Sequence, residues 1–148
     1  MHILGIEADK AGFSFVVLSR DAETLAVADA HRPVPANLAR QRSLAWVYDE
    51  IRDISLEFQP MFVGIKRADI GMNLSNAILD HAEVDGVIQA ALGSLNLSCE
   101  TFQWKSLAAK LGSPNKAAAL TDLKDRPQFY GVARSRMGAL GVALIAGS

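Results

Sequence analysis

Cysteine is almost absent from this chain: Cys99 stands alone among 148 residues. No internal disulfide can form, and one thiol cannot build a structural zinc site. Cys99 therefore reads as a small core side chain suited to a reducing compartment. An excess of either charge is also missing, since 15 Lys and Arg against 16 Asp and Glu leave a net of −1. That total gives no support to indiscriminate polyanion binding, so any nucleic-acid face has to be a local patch. A near-neutral surface also tolerates self-association, and a homo-oligomer, most simply a dimer, is expected. Long hydrophobic runs are lacking too. The stretch from Met137 to Ala146 is too short and too rich in Gly and Ala to span a bilayer. No charged segment and apolar stretch of signal type opens the chain. The expectation is a soluble cytoplasmic protein without a membrane partner. With no repeat, low-complexity tract or dividing linker, residues 1–148 read as one domain of ordinary globular composition.

What is present begins with Ile3-Leu4-Gly5-Ile6-Glu7-Ala8-Asp9, an apolar strand ending in carboxylates. A short turn leads to a second apolar strand, roughly 13–19. Such a layout opens many phosphoryl-transfer domains, where the first-strand carboxylate holds a metal. A third, Ala-rich strand is expected near 25–30, before Pro33 and Pro35 break regular structure. Asn37 offers an N-cap for a helix to about Phe58, whose Leu44, Val47, Tyr48, Ile51, Ile54 and Phe58 recur every three or four residues. Phe62-Val63-Gly64-Ile65-Lys66 reads as a central parallel strand covered on both faces. Asn73 or Ser75 caps a second long helix, to about Leu95. A fifth strand follows over 97–102, short helices near 104–111 and 115–124, and a last helix over about 130–146. The order β-β-β-α-β-α-β-α predicts an α/β domain built on a mixed five-stranded sheet with helices on both faces.

That order, with the residues at each turn, resembles the ribonuclease H-like superfamily, and within it the RuvC-type Holliday-junction resolvases. Ile3-Leu4-Gly5-Ile6-Glu7 is similar to the family's first strand and Phe62-Val63-Gly64-Ile65-Lys66 to its fourth. Gly112-Ser113-Pro114-Asn115-Lys116 is similar to its glycine-turn-lysine segment, and 135–144 to its final helix. The resemblance implies a metal-dependent nuclease site of four carboxylates. Only Glu7 matches it: a glutamate is expected where Lys66 stands, and aspartates where Ser135 and Gly138 stand. Converging carboxylates must offset two divalent cations about 4 Å apart. Like charges at that distance repel by about 4 kcal/mol in an effective dielectric near 20, and a divalent ion doubles this. Lys66 should therefore pair with Glu7 and exclude the metal. A degenerate member of a little-characterised bacterial branch fits better than a working resolvase.

The expected function is a catalytically inactive ribonuclease H-like module that binds or scaffolds within a nucleic-acid-processing assembly. No cofactor and no metal are expected, and Glu7, Lys66, Ser135 and Gly138 mark vestigial catalytic positions. Lys66, Arg67, Lys105, Lys116, Arg134 and Arg136 would gather around the old site as candidate contacts for phosphate or a nucleoprotein partner. Glu7 is either a remnant ligand or, preferably, the ion-pair partner of Lys66. Asp9 reads as a turn residue, Asp69 as a solvated loop acid, and His81 with Asp85 as a structural pair one helical turn apart. His2 and His31 carry no motif. Trp104 is either a base-stacking side chain or, preferably, buried at a helix start. Two alternatives stay open: a nuclease with a metal site rebuilt from Glu7, Asp9 and Asp69, and a purely structural homo-oligomer.

Overall fold

The computed structural model describes residues 1–71 and 74–148. Three strands, β1 (His2–Ala8), β2 (Gly12–Arg20) and β3 (Leu25–Pro33), form an antiparallel meander. Helix α1 (Arg40–Phe58) crosses to β4 (Phe62–Lys66), which lies parallel to β1, and α2 (Asn76–Ser94) leads to β5 (Glu100–Phe102), parallel to β4. The sheet order is β3-β2-β1-β4-β5, a mixed five-stranded α/β architecture. Helices α3 (Trp104–Lys110), α4 (Lys116–Asp125) and α5 (Met137–Ala146) complete the chain.

Side chains alternate across β1, so one strand feeds two cores. Leu4 and Ile6 join Phe13, Phe15, Val47, Ile51, Val84 and Ile88 beneath α1 and α2. Ile3 joins Val16, Leu18, Met137, Leu140 and Ala143 beneath α5 on the opposite face. Helix α5 is buried almost throughout and presses unusually close to the sheet. Gly5 and Gly64 are register partners on β1 and β4. A Cβ on Gly64 would fall 2.9 Å from Val142 Cβ, and one on Gly5 would meet the Ala139 carbonyl. The two glycines thus form a flat seat that only hydrogen atoms leave open.

Several expected boundaries shift, each for a local reason. Asn37 does not cap α1; it takes a left-handed turn at φ 64°, and the helix begins after Ala39 with no side-chain cap. Pro33 ends β3 instead of breaking the chain before it, because its missing N–H falls at the last edge position. Ser75 caps α2, accepting from Ile78 N at 3.2 Å, while Asn73 lies outside the described residues. Strand β5 is three residues long, since 97–99 leave α2 without pairing to β4. Asn115 caps α4 by accepting from Ala118 N. The final helix starts at Met137, not near 130. Two 3₁₀ turns, Pro127–Phe129 and Arg134–Arg136, precede it, and Lys124 takes the Val132 carbonyl at 3.0 Å. That turn sequence drives Phe129 and Val132 into the core.

Candidate functional site

Beyond the carboxyl ends of β1 and β4 lies a cleft of about 630 Å³ between the sheet and α2. Parallel pairing places Glu7 opposite Lys66, both on the α5 side of the sheet. The Lys66 ammonium, 2% exposed, is one of the largest fully buried side chains. It donates to Arg67 O at 2.7 Å and to Asp69 Oδ2 at 3.1 Å, and lies 3.7 Å from Glu7 Oε2. A buried ammonium is tolerable only with such partners. The Glu7–Lys66 pair expected from the sequence is therefore present. Burial nevertheless raises the Glu7 pKa, because desolvation outweighs the fields of Lys66, His81 and Lys116.

Gly138, the second residue of α5, explains how Glu7 is seated. A Cβ there would lie 2.7 Å from Glu7 Oε2. The Glu7 carboxylate thus fills the volume in which an aspartate at 138 would begin. Ser135 lines the cleft from the preceding turn, not from the helix. The resemblance implied two divalent cations at this place, and the residues present do not fit them. The cation position between the acids belongs to Lys66 Nζ, and among the described residues no three His, Cys, Asp or Glu converge on a metal-holding point.

The other acids are committed elsewhere. Asp9 accepts from Ala11 N and Gly12 N at 2.8 and 2.9 Å, the expected turn, and also meets His31 Nε2 at 2.7 Å. No motif flags His31; only the β2–β3 pairing brings it there, 22 residues away. Asp69 is exposed, as expected of a loop acid, yet it also holds Lys66 with one oxygen and accepts from Trp104 N at 2.8 Å with the other. It thereby caps α3 in place of Gln103, which supplies no side-chain cap. Of the three acids of the rebuilt-site alternative, Asp9 and Asp69 accept backbone hydrogen bonds and Glu7 faces Lys66.

Asp85 is buried at the back of the cleft wall. Its Oδ2 accepts from Ala68 N at 2.7 Å, tying α2 to the chain leaving β4. Its Oδ1 stands 3.4 Å from His81 Nε2, and neither atom has an aligned hydrogen bond. The Asp85 carboxylate raises the His81 pKa against the opposing effect of burial.

The six candidate phosphate contacts divide. Arg67, Lys105, Lys116 and Arg134 are exposed. Trp104 is 6% exposed, with Lys66 Nζ 5.8 Å and Lys116 Nζ 5.5 Å from its ring centroid. It is thus a buried helix-opening residue that carries cations on its ring. Arg134 stands apart, against Thr121 and Lys124 of α4. Two of the six are withdrawn from solvent: Lys66 by burial, and Arg136 by a half-buried ion pair with Asp29 of β3. Ser14 and Arg40 also line the cleft, positions that no local pattern signals.

Neither a family model nor a curated protein matches the chain. Solved structures do. Thermus thermophilus RuvC superposes with a TM-score of 0.75 at 12% identity, over 97% of this chain and 92% of that one. T. thermophilus RuvC in complex with Holliday junction substrate gives 0.72 at 12% identity, over 97% and 90%. The yeast mitochondrial Holliday junction resolvase gives 0.55 at 12% identity, over 97% and 74%. The likeness is one of fold: the chain has the ribonuclease H-like architecture of these resolvases.

Proposed function

We propose that this chain, on its resolvase-like scaffold, is a catalytically inactive module that binds or scaffolds within a nucleic-acid-processing assembly. One observation carries the reading: a buried ammonium, held by Glu7, Asp69 and a backbone carbonyl, stands where a divalent cation would have to be. A metal entering beside it would face a repulsion of roughly 8 kcal/mol, twice that of two unit charges at 4 Å. Binding falls instead to the exposed Arg67, Lys105 and Lys116 around Trp104, with Arg134 as an outlying contact. Such side chains grip phosphate without cutting it. The setting is the reducing cytoplasm, in keeping with a lone, half-buried Cys99.

The module acts as a dimer. Support comes from the outer face of α2, where Leu79, Ala82, Gly86, Ala90 and Gly93 are exposed and carry no charge. Sedimentation should return twice the monomer mass, and Gly86→Arg should reduce it to one chain.

The test of the main reading is a salt titration of junction and duplex DNA binding in EDTA. Replacing Arg67, Lys105 and Lys116 by Gln should flatten the slope of log K against log salt by about 3, close to one per lost phosphate contact. Cleavage of those substrates in Mg²⁺ or Mn²⁺ that is abolished by Glu7→Gln would overturn inactivity.

A further inference from the structure

We propose that the cleft over Glu7 receives a single unstacked nucleobase from a bound strand, while the basic rim beside it holds that strand's phosphates. This rests on the nucleic-acid reading above and names what enters the old site in place of a metal-bound phosphate. The location is suited to a ligand, because open α/β sheets bind theirs in the crevice outside the carboxyl ends of their strands. The volume, about 630 Å³, lies in the ordinary range for small-ligand clefts.

Charge argues against a phosphate in the cleft itself. Asp9 is matched by His31, Asp69 by Lys66, and Arg40 by Glu83 at 2.7 Å. A neutral, flat ligand suits walls on which Asp9, Asp69 and Arg40 are each already paired, although Lys10 also lines them. Ile78 and Val84 of α2 stand on one side, and Ala8 and Ala68 border the strand ends. Between them lies Glu7, whose carboxyl accepts no hydrogen bond among the described residues; Lys66 Nζ is 3.7 Å away. A carboxyl left without a donor on the floor of a cleft is an edge-reading group. Enzymes and binders that extrude a base recognise it by hydrogen bonds to its edge and by apolar contact with its faces. Lys116, on the Trp104 ring at the rim, is near enough for its field to reach Glu7.

The experiment uses the full chain in EDTA and an oligonucleotide carrying 2-aminopurine at one unpaired position. Binding should raise its emission several-fold, because the probe leaves the stack. An abasic residue at that position should weaken binding about fivefold, the value of one net hydrogen bond. Ala77→Trp, which fills the cleft, should abolish the emission change while leaving salt-sensitive strand binding. Glu7→Gln, which keeps the volume, should narrow the gap between intact and abasic strands. Strand binding with unchanged emission and no abasic penalty would overturn this inference and leave the nucleic-acid reading standing. Failure to bind any strand at low salt would remove both. Free 2-aminopurine riboside binding as tightly as the strand would make the ligand a soluble nucleoside and overturn the strand's part in it.

Discussion

Replacing Lys66 by Met tests the charge argument directly. Methionine keeps most of the stem volume under Trp104 but removes the ammonium 3.1 Å from Asp69 and 3.7 Å from Glu7. Breaking a buried pair by deleting one partner costs about 3–5 kcal/mol. Two effects reduce this here. Asp69 is 48% exposed, so solvent screens its share. Glu7 can also escape by taking a proton, since burial already raises its pKa above the ordinary 4.5. A net loss of about 2–3 kcal/mol remains, or about 5–10 °C in Tm for a chain of this length. The pH dependence has a definite sign. Lys66 is the strongest influence holding the Glu7 pKa down, so the variant's Glu7 titrates higher still. A group raised on folding contributes stability that is fully present below its unfolded value and lost as pH rises through its folded value. The gap between wild type and Lys66→Met should therefore be small near pH 4.5 and widest above neutrality. With the ammonium gone, Mn²⁺ should raise the variant's Tm and leave the wild type unmoved. Scanning calorimetry across pH, with and without Mn²⁺, reads every arm. A variant as stable as wild type at pH 8, or a wild type that gains as much from Mn²⁺, would refute the reasoning.

Three further outcomes follow from the same geometry. Gly64→Ala should destabilise by about 1–3 kcal/mol in urea melts, because its Cβ would press on the Val142 backbone and lift α5 from the sheet. Gly138→Ala should also destabilise, but much less in a Glu7→Ala background. A double-mutant cycle without coupling would mean that the carboxylate does not sit against that helix turn. Asp85→Asn should lower the His81 pKa in an NMR titration, since Asp85 is what raises it. The stability that the pair contributes is present below the ring's unfolded value and lost as pH rises through its folded value. The variant should thus lose more at pH 5.5 than at pH 8.5.

The element order was legible from local signals, because strand alternation, the three-and-four stripe of α1 and caps such as Ser75 and Asn115 are short-range physics. The sequence by itself also determined that a lysine, not a carboxylate, ends β4. A lysine in the β4 position that parallel pairing sets against Glu7 puts a positive charge among the carboxylates. The start of α5 was not legible, since 130–136 hold helix-compatible residues whose conformation is decided by burial of Phe129 and Val132. Nor were the roles of His31, Asp69 and Arg136, whose partners lie 22, 35 and 107 residues away. Only the tertiary structure decided which cations stay free for a ligand. It also showed that the Glu7 carboxylate rests against α5 in the volume a Cβ at Gly138 would enter. Composition and periodicity report which side chains seek burial; they cannot report which two will compete for one volume. That competition is settled when the sheet and α5 close on each other.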